Sequence, residues 1–228
     1  MATIATNLQL VNGRINHACA QVGRSSASVT LLAASKTFPA VTVREAFSAG
    51  QRCFGENYVQ EAVDKMSELA DLRDQITWHL IGPLQSNKTR VVAETFDWVH
   101  TIDRIKIAQR LSEQRPADLP PLQVCLQVNI SGESSKSGVA PQDVLSLAQA
   151  VAQLPRLTLR GLMALPAPSD DPEAQRGALR DMHVAFNHLR SEGIPLDTLS
   201  MGMSADLEEA IKQGSTLVRV GTALFGKR

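Results

Sequence analysis

Apolar side chains recur at three- and four-residue spacing over Ile4–Val22, where Ile4, Leu8, Val11, Ile15, Cys19 and Val22 share one face. This spacing predicts an amphipathic helix, ended by Gly23. The next pattern differs. Val29–Ser35 is a short apolar run with a β-branched entry, which reads as a strand buried on both faces. Helical and strand patterns then alternate: helix Val41–Ala49, strand Cys53–Gly55, helix Tyr58–Leu69, strand Ile76–Ile81, helix Ser86–Phe96 and strand Trp98–Ile102. They continue with helix Ile105–Gln114, strand Leu122–Ile130, helix Asp143–Leu154, strand Leu157–Ala164, helix Glu173–Glu192, strand Leu199–Met201, helix Asp206–Lys212 and strand Leu217–Val220. Eight strands in regular βα alternation, in a chain near the ~250 residues typical of that fold, predict a closed (β/α)8 TIM barrel behind an extra N-terminal helix. An open doubly wound sheet is the competitor. Its first strand usually leads into a glycine-rich phosphate loop, whereas here Lys36-Thr37-Phe38-Pro39 follows. No linker or repeat divides the chain, so residues 1–228 are expected to form one domain.

Composition narrows the partners. The chain has 228 residues, with 23 Lys plus Arg against 23 Asp plus Glu, so the net charge is zero. That balance speaks against nucleic acid or an anionic membrane as the main partner. No stretch approaches the ~18 apolar residues of a membrane span, and the N-terminus lacks a secretory pattern. The three cysteines, Cys19, Cys53 and Cys125, have no metal or redox spacing and apolar neighbours; they suit buried thiols in a reducing cytoplasm. The five histidines show no HxH or HExxH spacing, so no metal site is expected.

In a barrel, chemistry lies at the carboxyl ends of the strands. Lys36 stands at the end of the first strand. Apolar surroundings there would disfavour its charged form and leave a nucleophilic amine; escape of the side chain to solvent is the open alternative. The last two loops point to an anion. In Met201–Asp206, MGMSAD, Gly202 permits a tight turn and Ser204 reads as the N-cap of the following helix. Capping alone would explain Ser204. Gly221 and Thr222 follow the eighth strand, and barrels often bind phosphate with these two loops, which favours a phosphate. Arg219 alternates with Val218 and Val220 and should point into the barrel mouth, toward a phosphate or a ring nitrogen. A salt bridge to Glu56 is its alternative. His79 in Trp78-His79-Leu80 reads as a core histidine bonded to a backbone carbonyl. The loop with Glu133 and Lys136 is a solvated turn or a lid. An amine at one side of a mouth and an anion cradle at the other suit a ligand with both an aldehyde and a phosphate, and pyridoxal phosphate is one.

Seven motifs occur in order: ASKT at Ala34–Thr37, FGENYVQE at Phe54–Glu61, WHLIGPLQSNK at Trp78–Lys88, VNISGESSKSG at Val128–Gly138, RGLMALP at Arg160–Pro166, LSMGMSAD at Leu199–Asp206 and VRVGTALFG at Val218–Gly226. Together they resemble the pyridoxal-phosphate homeostasis protein family, over nearly the whole chain. The resemblance implies an alanine-racemase-like barrel that carries pyridoxal 5'-phosphate covalently, as a Schiff base, on Lys36. It implies Ser204, Gly221 and Thr222 at the phosphate, Arg219 near the cofactor, and Asn57, His79 and Met201 in the pocket. Two features depart from the family pattern. Phe38 stands where many members have a lysine, and the tail stops at Lys227–Arg228; Lys136 is retained.

The related racemases take a second base from a tyrosine of a partner's added domain. Tyr58 is the single tyrosine here, at a helix start not obviously opposite Lys36. The resemblance therefore implies a carrier with no catalytic residue: a protein that holds pyridoxal phosphate reversibly, buffers it, and hands it to apo-enzymes. A monomer is expected, since the racemase-type second domain is lacking. A low-activity amino-acid racemase or lyase is the alternative. A Schiff-base aldolase is disfavoured, because aldolase lysines typically lie on later strands.

Overall fold

The computed structural model describes residues 3–132, 137–166 and 171–226. Eight parallel strands close into a barrel: β1 (Thr30–Ala34), β2 (Cys53–Glu56), β3 (Thr77–Leu80), β4 (Trp98–Ile102), β5 (Leu122–Gln127), β6 (Leu157–Met163), β7 (Thr198–Met203) and β8 (Leu217–Val220). Each pairs with the next, and β8 returns to β1 with Thr30 opposite Leu217 and Ala33 opposite Val220. The open-sheet alternative is thereby excluded.

Helices form the outer layer: α1 (Ile4–Gln21), α2 (Ala40–Ser48), α3 (Val59–Glu68), α4 (Thr89–Thr95), α5 (Ile105–Gln114), α6 (Val144–Ala152), α7 (Pro172–Ser191), α8 (Leu207–Lys212) and the single turn α9 (Thr222–Phe225). Their apolar stripes meet the strands in one continuous core, in which Val43, Val92, Leu111, Val151 and Leu179 are buried. α1 packs against α2, α8 and α9. It covers the outer face near β8 and β1, beside the four-residue α9 that follows β8.

Most element boundaries shift from the periodicity by a residue or two, and three departures shape the loops. β5 ends at Gln127 rather than Ile130: Val128 still donates its N–H to Met163 O of β6 at 2.8 Å, and it also makes an isolated parallel bridge to Val139. There the Val139 N–H donates to Gln127 O and the Asn129 N–H to Val139 O. β7 runs on to Met203, past Gly202 at φ 94°. The helix predicted from Ser86 opens with a 3-10 turn, Ser86–Lys88, before α4. The loop residues Glu133 and Lys136 lie outside the described residues.

Candidate functional site

A cavity of about 570 Å³ opens at the carboxyl ends of the strands, between β1, β2, β7 and β8. Six of the expected residues line it: Lys36, Asn57, Ser204, Arg219, Gly221 and Thr222. They come from four separate loops or strands, up to 186 positions apart (222 − 36), and only the closed barrel brings them together. The size suits a small cofactor. Phe38, Ile81, Leu165 and Met203 give the cavity apolar walls. Lys36 is half-buried, so it neither escapes to open solvent nor sits in a sealed core. Phe38 lines the cavity and packs its ring on Phe225 with centroids 5.0 Å apart.

The anion side is built differently from the expectation. Ser204 does not cap α8. Asp206 holds the N-cap position, and its carboxylate accepts the Met203 N–H at 2.6 Å. The Asp206 carboxylate thus ties down the loop before α8 and makes no bond to an N–H of the helix itself. The Ser204 hydroxyl instead accepts the Ala223 N–H at 3.3 Å, in the first turn after β8. One weak bond thus joins the two loops read as the phosphate cradle. Met201 is fully buried and is not among the residues lining the cavity; Met203, two residues on, is.

Arg219 is buried in the barrel interior. Its Nη1 donates to Ser200 O at 2.8 Å and Ser200 Oγ at 2.6 Å, and its Nη2 donates to Ala164 O at 2.8 Å. No described carboxylate pairs with it, so the Glu56 salt bridge is not formed. Burial lowers its pKa to about 10, against the opposing pull of Asp206. The guanidinium therefore stays charged at neutral pH, fixed by neutral oxygens. Its charge is left for whatever enters the cavity.

His79 is not at the mouth. It lies deeper in the barrel, by a second cavity of about 220 Å³ near the amino ends of the strands that also touches Thr30, Thr77 and Thr198. Its partner is another side chain rather than a backbone carbonyl: His79 Nδ1 and His100 Nε2 are 2.9 Å apart. His100 Nδ1 meets Ser200 Oγ at 3.1 Å. A polar chain thus runs from His79 through His100 and Ser200 to Arg219. His79 is connected to the mouth without lining it. Ser200 is legible in the sequence as a polar residue of strand seven, but His100 escaped sequence reading, because nothing local marks a residue whose partners lie on other strands.

Tyr58 is 59% exposed at the start of α3 and outside the cavity lining. Among the described residues, no three His, Cys, Asp or Glu side chains gather as metal ligands. No described helix is long and apolar enough to cross a membrane. Cys19 and Cys125 are buried and Cys53 half-buried, all as free thiols. Burial pushes the Cys125 thiol up to about 12, which removes it as a nucleophile at neutral pH.

Residues 12–228 match the family described as alanine racemase, N-terminal domain. A relative from Pseudomonas aeruginosa named pyridoxal phosphate homeostasis protein is 61% identical, over 100% of this chain and 97% of its own. A relative of the same name from Escherichia coli is 56% identical, over 100% of this chain and 98% of its own. Among solved structures, PipY of Synechococcus elongatus with PLP bound superposes with a TM-score of 0.81 at 38% identity, covering 93% of this chain and all of that one.

Proposed function

The chain belongs to the pyridoxal phosphate homeostasis proteins of the alanine racemase N-terminal-domain family, and from that premise we propose that it binds pyridoxal 5'-phosphate reversibly and serves its homeostasis. One observation carries the reading. Lys36, Arg219, Ser204, Gly221 and Thr222 converge on a single cavity with apolar walls. An amine, a fixed cation, two hydroxyls and a glycine backbone suit an aldehyde, an aromatic ring and a phosphate in one molecule. Bound covalently, the cofactor would exchange its aldehyde oxygen for a carbon–nitrogen double bond to Lys36 Nζ, with release of water.

The remaining work belongs to the protein. Ser204 and Thr222 offer hydroxyls, and the chain at Gly221 offers backbone, to the phosphate. Arg219 donates hydrogen bonds and carries a permanent charge beside the ligand; it would hold a facing ring nitrogen or phosphate oxygen unprotonated. Phe38, Ile81 and Leu165 exclude water from the ring faces. Asn57 closes the β2 side. A racemase needs a second proton donor across the cofactor from the lysine, and the single tyrosine lies on the outer surface. The site therefore favours a carrier over an enzyme: a cytoplasmic monomer that buffers the cofactor and passes it to apo-enzymes.

The test is spectroscopic. Mixed with pyridoxal phosphate, the protein is expected to develop the absorption of a lysine-bound cofactor, trapped at Lys36 by borohydride and found there by peptide mass. Lys36→Ala should lose both signals. A wild-type protein that stays colourless would overturn the reading. Rapid, Lys36-dependent racemisation of alanine would overturn the carrier role and leave the binding role intact.

A further inference from the structure

Behind Lys36 lies a cluster of charged side chains that the cofactor cavity does not use. Lys65 of α3 is only 4% exposed. An ammonium has three hydrogens, and Lys65 Nζ meets three acceptors: Glu56 Oε1 at 2.6 Å, Ser35 O at 3.0 Å and Glu61 Oε1 at 3.2 Å. Ser35 Oγ donates to the same Glu56 oxygen at 2.6 Å. The Thr37 N–H donates to Glu61 Oε1 at 2.5 Å. The residues immediately before and after Lys36 are thus tied to one buried cation, each through a carboxylate.

Thr37 has φ 66°, alone among the described non-glycine residues in taking a positive value. Such a conformation is disfavoured for a β-branched side chain and persists only where neighbours impose it. Glu61 supplies that constraint from α3. Lys65 holds Glu61, and Lys65 is itself anchored on Glu56, fully buried at the end of β2. The backbone that turns at Thr37 is the backbone from which the Lys36 side chain departs.

We propose that Glu61 and Lys65 are positioning residues for Lys36: Glu61 fixes the left-handed turn at Thr37, Lys65 fixes Glu61, and the turn directs the Lys36 amine into the cavity. The inference rests on Lys36 being the cofactor lysine. A cluster that only joined β1, β2 and α3 would affect stability without affecting how fast Lys36 reacts.

Replacing Lys65 would strand Glu56 as a buried charge and risk unfolding, so the test uses Glu61, whose side chain is 30% exposed. Glu61→Gln keeps an oxygen that can accept the Thr37 N–H. Glu61→Ala removes it. Thr37→Gly lets the turn form without a clamp. Each apo-protein is mixed with pyridoxal phosphate; the rate at which the lysine-bound absorption appears, the affinity and the apo melting temperature are recorded. Glu61→Ala should slow the reaction and weaken binding about tenfold or more, the order of loss expected of a misaimed nucleophile, with a melting temperature near wild type. Glu61→Gln should stay within about threefold of wild type, and Glu61→Ala combined with Thr37→Gly should regain most of the rate, since each restores the turn and not the charge. An alanine variant as fast as wild type would overturn the inference. So would a double variant as slow as Glu61→Ala, or losses that merely follow melting temperature. If wild type itself shows no Lys36-dependent absorption, the cofactor reading falls and takes this inference with it. If wild type loads and Glu61→Ala loads equally well, this inference falls alone.

Discussion

His79 and His100 share a bond inside the barrel and are buried completely enough to be neutral at any physiological pH. Burial pulls His79 down to about 3, and burial, helped by His79 and the Arg219 charge beside it, carries His100 well below the ordinary histidine range. In the unfolded chain both would titrate near ~6.5. The sign follows. Below that pH the unfolded state binds protons that the folded state refuses, so the stability they contribute is whole above ~6.5 and is lost as pH falls toward their folded values. For His79 this amounts to about 1.4 kcal/mol per pH unit within that window, and His100 acts in the same direction. Asp71, Asp197 and Glu208, lowered chiefly by arginine partners or held low against burial by one, act in the same direction. Glu56, raised by burial, acts in the opposite one. Urea midpoints measured at pH 7 and pH 5 should therefore fall steeply for wild type and much less for the His79→Gln, His100→Gln double variant, whatever its baseline stability. Equal slopes would contradict the neutral pair. The sequence marked His79 as interior by its phase in Trp78-His79-Leu80. It could not mark the partner, 21 residues away on the next strand, so a backbone carbonyl was the natural expectation.

Among the elements, β7 carries the most structural demand in the fewest residues. Gly202 has φ 94°, and a Cβ there would stand 2.5 Å from the Ala210 Cβ of α8. Glycine lets β7 bend under α8 and deliver Ser204 to the cavity two residues later. Gly202→Ala must both strain the backbone and push α8 outward. A loss exceeding about 1 kcal/mol is expected from the backbone alone, with weaker cofactor binding because Ser204 and Ala205 move. Gly13→Ala is the matched control. Gly13 lies mid-helix in α1 with open space around its Cβ position, so the same substitution should stabilise by about 0.5–1 kcal/mol and leave binding alone. Melting temperature and cofactor titration check both signs, and a Gly202→Ala protein as stable and as avid as wild type would refute the account. Such features mark the limit of what periodicity conveys. The 3.6- and two-residue patterns carried all eight strands and their helices, because each element buries one stripe or two faces. They did not carry the early end of β5 or the cap of α8. Those depend on chain beyond the element itself: Val139 bonds Gln127 O and the Asn129 N–H where β5 ends, and Asp206 occupies the N-cap position of α8 while its carboxylate turns back to the Met203 N–H.

At the scale of the molecule, α1 is more than a cover. Its Arg14 makes a two-pronged pair with Glu208 of α8, at 2.5 and 2.7 Å, and donates to Ser204 O at 2.9 Å. Asn7 Nδ2 donates to Leu224 O in α9 at 2.9 Å, and Arg24, just past α1, to Ile211 O in α8 at 2.9 Å. Asn7, Arg14 and Arg24 thus brace both loops of the proposed phosphate cradle, which the long bond from Ala223 to Ser204 also joins. Arg14→Ala separates this bracing from general stability. A part-exposed ion pair contributes at most about 1 kcal/mol to folding, so the melting temperature should change little. The Ser204 loop, however, loses its fixed carbonyl, and cofactor should dissociate several-fold faster while the borohydride-trapped product still forms on Lys36. Arg44→Ala breaks an equally two-pronged pair, with Asp71, outside the cavity lining, and should leave dissociation unchanged. Equal release rates from the two variants would mean that α1 only fills the outer layer. Faster release from Arg14→Ala alone would make the leading helix the element that sets how long a reversible carrier keeps its load, because the phosphate grip can be loosened from outside the barrel without touching the lysine within it.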